Sequence, residues 1–257
     1  MSILNFLSDF FFPKTLPENG GFTLYGKTHI IWIAVILLSI VILSIVYRKS
    51  DKKAKKAILI SAGLALAVSE ILRIVFHAAM GNLNYDLMPL HLCGIAMLVC
   101  IFYPFKNIEF LGDFMYSTGL PGAVSALLFP NWTNYSAGTY FNFQSFFAHF
   151  IIVLIPILII AGGDFKPNYK NLPKCGLFLL IIAAGNYFLN MKIMTNFMFL
   201  RYPSPGSPLV IFEEWLGNPG YIFGILITLL VVWLVLYLPF AVMQWVSGAK
   251  KKALPAE

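Results

Sequence analysis

THIIWIAVILLSIVILSIVYRKSDKKAKK, residues 28–56, contains the pattern that decides the fold. Residues 28–47 are almost entirely apolar, and a run of this length is what an α-helix needs to cross a bilayer. Six lysines and arginines follow it. Six more apolar runs come later, at 57–80, 88–104, 108–128, 143–162, 173–193 and 219–245. This pattern predicts an all-α, polytopic membrane protein built as a bundle of seven transmembrane helices.

The composition excludes an ordinary soluble domain. Of the 257 residues, 59% are hydrophobic and only 11% are charged, whereas a soluble domain carries about a quarter charged residues. Most of the surface must therefore face lipid. Three cysteines are too few for a disulfide scaffold. A net charge of +7 would suggest nucleic acid for a soluble protein, but here we expect no nucleic-acid partner, because the charge follows the predicted topology.

Lysine and arginine concentrate in alternate connections between the predicted spans. The first, third and fifth connections and the C-terminal tail hold thirteen of the eighteen, namely Arg48, Lys49, Lys52, Lys53, Lys55, Lys56, Lys106, Lys166, Lys170, Lys174, Lys250, Lys251 and Lys252. By the positive-inside rule the N-terminus lies outside and the C-terminus is cytoplasmic. We therefore expect an extracytoplasmic interfacial segment at 1–27, a seven-helix domain at 28–245 and a basic cytoplasmic tail at 246–257.

The second span carries three ionisable residues on one face. Glu70, Arg73 and His77 are spaced by three and four residues, so a helix places them on the same side. Ionisable groups inside a bilayer are costly unless they are paired or face water, and by default they indicate function. We expect a Glu70–Arg73 ion pair in the outward half of the span, with His77 one turn above it.

The third span opens with Met88-Pro89-Leu90-His91-Leu92-Cys93-Gly94. Proline suits the first turn of a helix, which would place His91 and Cys93 in the first two turns. The positive end of a helix favours a thiolate, so Cys93 is a candidate nucleophile. Because two residues span about 200° of rotation, His91 and Cys93 do not face each other, and the base for Cys93 should come from another helix.

Other polar residues are predicted at the same outward depth. Gln144 and His149 lie early in the fifth span, and Asn186 and Asn190 lie on one face of the sixth. The proline-rich stretch within 194–218 predicts a rigid, non-helical cover, where Arg201 is positioned to meet a lipid phosphate. Only Glu109 and Asp113, at the cytoplasmic end of the fourth span, break the pattern, and they are interpreted as interfacial.

Four pieces of sequence together resemble the YwaF-like bacterial integral membrane proteins. They are the Glu70/Arg73 face, LMPLHLC at 87–93, Gly185-Asn186-Tyr187, and RYPSPGSPL at 201–209. That family is distantly similar to an animal transmembrane acyltransferase that makes polyunsaturated ether phospholipids through a cysteine. Over about residues 25–245, the resemblance implies a multi-pass protein of the bacterial plasma membrane, in which Cys93 takes an acyl chain and a nearby histidine assists.

The candidate residues divide into two roles. The catalytic candidates are Cys93, His77, His91 and His149; the substrate-binding candidates are Glu70, Arg73, Gln144, Asn186, Asn190 and Arg201. The expected substrate is a membrane phospholipid or lysolipid, and no cofactor or metal is expected.

Three alternatives stay open at this point. A lipid hydrolase would use the same chemistry with water as the acceptor. A zinc-dependent hydrolase would use His77, His91 and His149 as metal ligands. A transporter or receptor would bind a small molecule or lipid in the same polar cavity without forming a covalent adduct.

Overall fold

The computed structural model describes residues 9–12, 21–106 and 108–253, with the backbone alone from residue 243 onward. This part of the chain is helical and contains no strand. Its helices are α1 (Lys27–Lys49), α2 (Lys52–Ala79), α3 (Leu92–Lys106), α4 (residues 109–128), α5 (Tyr140–Ala161), α6 (Leu172–Ile193), α7 (Leu209–Leu216) and α8 (Tyr221–Ala253). Most of the predicted interfacial segment and the side chains of the basic tail lie outside the described residues.

Within the described residues, six stretches are long and apolar enough to cross a membrane. They are Lys27–Lys49, Lys52–Ala79, Tyr85–Lys106, Tyr140–Ala161, Tyr169–Ile193 and Tyr221–Val242. Each overlaps one of the predicted spans. Large apolar side chains such as Leu38, Phe188 and Val235 are more than half exposed on their outer faces, which only a lipid environment accommodates. The protein is therefore a multi-pass membrane protein.

The predicted fourth span, at 108–128, is not among these six. A π-helical turn, Met115–Gly119, divides α4 into Glu109–Phe114, the π turn itself and Leu120–Leu128. α8, which is distant in sequence, bonds to this turn: Trp233 Nε1 donates to Ser117 O at 3.0 Å, and Tyr116 OH donates to Leu236 O at 2.9 Å. A hydropathy pattern carries no sign of such an interruption.

α5 is the central helix of the bundle. In its spanning window 61% of the residues are buried, compared with 11% for α1, α6 and α8. It packs against α1, α2, α3 and α4. All four histidines lie towards one end of the bundle, here called the histidine end, and the lysine-rich connection between α1 and α2 lies at the other, the basic end.

The start of the third helix differs from the prediction. α3 begins at Leu92, and Pro89 lies in a turn before it, where Leu90 N donates to Met88 O. Two side chains hold the carbonyls of this turn away from helical geometry: Arg73 Nη2 donates to Leu87 O at 3.1 Å, and Asn186 Nδ2 donates to Leu90 O at 2.8 Å. His91 therefore precedes the helix, and Cys93 is its second residue.

One further expectation was wrong in part: the stretch 194–218 is not entirely non-helical, because it contains α7, which starts after Pro208 and ends before Gly217, where φ is +68°. Asp113 is fully buried, and its carboxylate accepts hydrogen bonds from Asn168 N at 2.9 Å and Asn171 Nδ2 at 2.7 Å. Glu109 is exposed, as expected. The sequence could not distinguish them, because burial of Asp113 depends on how the connection between α5 and α6 folds back over it.

Candidate active site

An ion pair connects α2 to its neighbours near the histidine end. Arg73 donates to Glu70 through Nε, at 2.9 Å, and through Nη2. Gln144 Nε2 of α5 donates to the same carboxylate at 3.0 Å, and Arg73 Nη2 also reaches Leu87 O. The Glu70 and Arg73 side chains are only 14% and 21% exposed. The expected pair therefore forms in a largely desolvated position, where charge-assisted hydrogen bonds are strong.

His77, one turn beyond Arg73, has unmet hydrogen-bonding capacity. It is 5% exposed, its ring centroid lies 4.4 Å from that of Phe141, and neither ring nitrogen has a hydrogen-bond partner in the described part of the chain. Asn142 Oδ1 is also buried without a partner among those residues, although Asn142 Nδ2 donates to Tyr135 O at 3.2 Å. Since buried polar groups in native proteins are nearly always hydrogen-bonded, this corner is suited to a polar ligand.

Tyr135 adds a hydroxyl beside the same corner. It lies in the connection between α4 and α5, and its ring centroid is 5.6 Å from that of Phe141. Burial raises the pKa of the Tyr135 phenol, and the nearby Arg73 guanidinium offsets part of this effect. The hydroxyl therefore remains a hydrogen-bond donor at neutral pH.

Cys93 is half-buried at the edge of the apolar core. A Cβ built at Gly63 of α2 lies 3.3 Å from Ile101 Cα of the antiparallel α3. Towards the histidine end, Cys93 precedes Ile101 on α3 by as many residues as Ile71 follows Gly63 on α2. Cys93 therefore lies opposite Ile71. At 1.5 Å per residue, His77 lies about 9 Å further towards the histidine end. His77 thus lies further towards the histidine end than Cys93.

Cys93 and His149 lie at the same depth. A Cβ built at Gly119 of α4 would be 3.1 Å from Ala96 Cβ of α3 and 3.7 Å from Ile152 Cγ2 of α5, so these three helices meet there. Cys93 precedes Ala96 by three residues, and His149 precedes Ile152 by three. Because α3 and α5 run in the same direction, both side chains lie one turn from the shared contact, on the side of the histidine end.

The hydrogen bonding of His149 fixes which ring nitrogen is basic. Nδ1 lies 2.7 Å from Ser145 O, and since a carbonyl oxygen only accepts, Nδ1 carries the proton in the neutral ring. Nε2 then holds the lone pair, and it has no hydrogen-bond partner among the described residues. The ring stacks on Trp132 at 4.8 Å between centroids. His149 is thus a held imidazole with a free basic nitrogen.

His91 and Asn190 hold the connection after α6. Met198 N donates to His91 Nδ1 at 3.3 Å. Asn190 Nδ2 donates to Phe197 O, and Asn190 Oδ1 accepts from Thr195 Oγ1 and Phe197 N, all within 2.9 Å. Both lone pairs of the Asn190 amide oxygen and one of its two N–H groups are therefore used within the protein. Its contacts are those of a positioning residue.

Asn186 and Arg201 also make contacts within the protein. Asn186 is 4% exposed and donates from Nδ2 to Leu90 O, three residues before Cys93. Arg201 Nη1 donates to Thr195 O at 3.3 Å, and Arg201 N donates to Asn196 Oδ1. Asn186 thus stabilises the turn before α3, and Arg201 belongs to the connection after α6 that His91 contacts.

Nine of the ten predicted residues form three groups in the structure. Glu70, Arg73, Gln144 and His77 form one; Cys93 and His149 flank the Gly119 contact; and His91, Asn190 and Arg201 hold the 194–208 connection. The tenth, Asn186, bonds the turn before α3. No hydrogen bond joins Cys93 to a histidine within the described residues.

A zinc site of three histidines finds no support in the arrangement of the side chains. The described part of the chain contains no group of three or more His, Cys, Asp or Glu residues that is placed to hold a metal ion. His91 Nδ1 is occupied by Met198 N, and His149 Nδ1 by Ser145 O. The predicted ligands thus belong to separate parts of the bundle.

The sequence did not single out Trp132, Tyr135 or Asn142. The aromatic and amide content of 129–142 indicated that this stretch could contribute to the site, but the composition did not identify individual residues. His29, the fourth histidine, is a structural contrast: it is fully buried, its Nδ1 accepts from Tyr25 N at 3.0 Å, and its Nε2 donates to Leu127 O at 2.8 Å. Both of its nitrogens are satisfied, unlike those of His77.

Comparison with known proteins gives one result. A family model described as the TMEM164 family matches residues 24–237. No curated protein and no solved structure matches the chain. The matched range includes Cys93, His149 and the Glu70–Arg73 pair. Because it spans most of the chain, this multi-pass membrane protein belongs to the TMEM164 family.

Proposed function

We propose that the protein is an integral membrane acyltransferase or transacylase in which Cys93 carries the acyl group. The observation that carries the proposal is the common depth of Cys93 and His149 around the Gly119 contact, with His149 Nε2 unprotonated and free. Nucleophilic acyl transfer requires a thiol and a base within reach of each other, and a thiol and an imidazole at one depth are suited to it. The resemblance of LMPLHLC at 87–93 to the YwaF-like family, which is distantly similar to a cysteine-dependent acyltransferase, supports the same assignment.

The proposed reaction has two balanced steps. His149 Nε2 takes the proton from Cys93 Sγ, and the thiolate attacks the ester carbonyl of a phospholipid. The ester C–O bond breaks, the lysolipid oxygen takes the proton back from His149, and a thioester remains on Cys93. An acceptor hydroxyl then gives its proton to His149 Nε2 and attacks the thioester carbonyl. The C–S bond breaks, His149 returns the proton to Cys93 Sγ, and a new ester and the free thiol result.

The start of α3 offers donors for the developing oxyanion. The first backbone bond of this turn is Ile95 N to His91 O, so the N–H groups of Cys93 and Gly94 have no backbone acceptor in the described structure. Free N–H groups at a helix N-terminus stabilise negative charge, and N–H groups aimed at an oxyanion are a large catalytic contribution.

Of the two histidines considered as the base, His149 fits better than His77. His149 is level with Cys93, whereas His77 lies about 9 Å further along the bundle axis. In the proposal Glu70, Arg73 and Gln144 bind the substrate, and Asn186 positions the turn before Cys93. His91 and Asn190 hold the connection after α6, to which Arg201 belongs, and this connection closes the site.

We infer further that α4 completes a seven-span bundle, with the N-terminus outside and the C-terminus in the cytoplasm. The support is the alternation of basic connections, which a missing span would break. The YwaF-like assignment and the bacterial plasma membrane are part of the same proposal and rest on the motifs at 87–93, 185–187 and 201–209. The histidine end, with Cys93, then lies in the outer half of the membrane.

The test is acyl transfer between defined lipids. Purified protein in vesicles receives phosphatidylglycerol with deuterated acyl chains and unlabelled lysophosphatidylethanolamine, and mass spectrometry follows the label. We expect transfer by the wild type, loss in Cys93→Ala and His149→Gln, and retention in Cys100→Ala, which removes a buried free thiol elsewhere on α3.

Three outcomes would point elsewhere. Transfer that persists in Cys93→Ala overturns the cysteine assignment. Release of labelled fatty acid without labelled acceptor identifies a hydrolase. Equal binding of the donor by the wild type and Cys93→Ala, with no transfer by either, identifies a receptor or transporter.

A further inference from the structure

We propose that Trp132 is a positioning residue for the base: the face of its indole stabilises the imidazolium that forms when His149 takes the proton from Cys93. In Ser-His-Asp enzymes a carboxylate at the other ring nitrogen stabilises this cation. The inference rests on the proposed function for the reaction that Trp132 assists. Its own evidence is the set of side chains around His149.

The first observation is that the hydrogen-bond partner of His149 carries no charge. Nδ1 lies 2.7 Å from Ser145 O, a backbone carbonyl. Neither of the two ion pairs in the described part of the chain involves His149. A charge on a membrane-spanning helix is costly unless a neighbour compensates it. A group other than a carboxylate must therefore stabilise the imidazolium.

The charged groups on the neighbouring helix α2 are already committed. Glu70 is paired with Arg73, and Gln144 of α5 donates to the same carboxylate. Gln144 precedes His149 by five residues, which is about 7.5 Å along the axis and about 140° of rotation. On α1, His29 has both ring nitrogens bonded. None of these groups is placed to compensate a charge on His149.

The second observation is the indole that lies against the His149 ring. The ring centroids of Trp132 and His149 are 4.8 Å apart and the planes differ by 17°, so the two rings are stacked. A cation over an aromatic face within about 6 Å is attracted by the ring quadrupole, and tryptophan gives the strongest attraction. The attraction grows where water is excluded, and Trp132 is only 6% exposed.

The indole is held in place before any proton moves. Phe146 meets it edge to face, with centroids 5.4 Å apart. Tyr135 N donates to Trp132 O at 3.0 Å, and Phe22 N donates to the next residue, Thr133, at its carbonyl oxygen at 2.9 Å. A group that is fixed in advance stabilises a developing charge without a cost of reorganisation.

The third observation is the unused donor of the same indole. Trp132 Nε1 is buried and has no hydrogen-bond partner among the described residues. An unpaired buried donor is costly, and phenylalanine would fill an aromatic position without that cost. A hydrogen bond within the described protein therefore does not explain the tryptophan. Its advantage over phenylalanine here is the stronger attraction of its face for a cation.

The experiment measures the rate at which N-ethylmaleimide, a small uncharged reagent, alkylates Cys93 in the detergent-solubilised full chain, followed by peptide mass spectrometry. The reagent adds to the thiolate, so the rate reports proton transfer from Cys93 to His149. We expect Trp132→Leu to slow it by about tenfold to thirtyfold and Trp132→Phe by less. Trp32→Leu, which removes an indole stacked on Phe146, should keep the rate.

Two measurements separate the effect of the aromatic face from an effect on packing. In His149→Gln the further change Trp132→Leu should leave the rate unaltered, because no imidazolium forms. Replacing tryptophan by 5-fluorotryptophan keeps the shape of the indole and weakens its negative face, so it should slow alkylation. In Trp132→Phe, which retains the other four tryptophans, fluorination should have no effect. The fluorinated protein decides if Trp132→Leu does not fold.

A folded Trp132→Leu that reacts at the wild-type rate overturns the inference, as does a fluorine effect that persists in Trp132→Phe. Equal slowing at Cys100, a buried thiol of α3, also overturns it, because the bundle as a whole would then have changed. Acyl transfer is followed separately in the same variants. If the wild type transfers no acyl group but Cys93 alkylation depends on Trp132 as expected, the proposed function fails and the role of Trp132 stands.

Discussion

Gly119→Ala tests whether the α3–α4–α5 contact sets the geometry of the site. The added Cβ would lie 3.1 Å from Ala96 Cβ, so the helices must separate by a few tenths of an ångström. Overpacking of this kind costs about 1–3 kcal/mol, against a gain of about 0.5–1 kcal/mol for Ala over Gly inside a helix. We therefore expect a variant that is less stable than a glycine substitution without such a contact.

Gly185→Ala on α6 is the matched control, because nothing lies within 4 Å of a Cβ at that position. Gly185→Ala should therefore gain only the stability that alanine has over glycine inside a helix. The free energies of unfolding of the two variants, from thermal or denaturant melts in one detergent, should differ by about 1–3 kcal/mol.

The same change should slow acyl transfer. Moving α3 relative to α5 separates Cys93 from His149, and since a misplacement of about 1 Å costs about a hundredfold in rate, a few tenths should cost about tenfold. Ala96→Gly removes the atom that clashes and should restore the rate of Gly119→Ala. If Gly119→Ala matches Gly185→Ala in both stability and rate, the account of this contact is wrong.

Three further predictions concern single side chains. His149→Gln should reduce acyl transfer by about 10²–10⁴-fold with little change in melting temperature. His29→Gln loses bonds at both ring nitrogens and should lower the melting temperature. A loss of stability in His149→Gln and a loss of activity alone in His29→Gln would contradict these roles. Glu70→Gln should destabilise the protein by about 1–3 kcal/mol because Arg73 loses a charged acceptor. Adding Arg73→Met should recover part of that loss, which a double-mutant cycle measures. Strictly additive losses would show that the two side chains are not coupled. Asn190→Ala should speed amide hydrogen exchange in 194–208 without affecting α3. Unchanged exchange in 194–208 would contradict the role of Asn190 in holding this connection.

The sequence predicted most of the fold because hydrophobic length is a local property. The apolar runs placed six spanning helices within a few residues of where the structure has them. The sequence did not predict the π turn at Met115–Gly119, because it depends on hydrogen bonds with α8, which is distant in sequence. Trp233 of α8 donates to the turn, and Tyr116 of the turn donates to α8. The start of α3 was missed for a similar reason, since Arg73 and Asn186 hold the preceding turn.

The site was predictable where spacing within one helix sufficed. Glu70 and Arg73 are three residues apart on α2, and their pairing follows from helical geometry. The role of Asn190 did not follow, because its amide is used by a connection whose path no local pattern records. The match in level between Cys93 and His149 required knowing which helices meet at Gly119.

The most direct test of the central claim is intact-protein mass spectrometry of the wild type and Cys93→Ser after incubation with phosphatidylglycerol. The account predicts a fatty-acyl mass increment on the wild type that neutral hydroxylamine removes and that is absent from Cys93→Ser. Peptide mapping should place the increment on Cys93 and not on Cys100 or Cys175. An increment that persists in Cys93→Ser, or none on the wild type even with an activated acyl donor, would contradict an acyl-enzyme at Cys93.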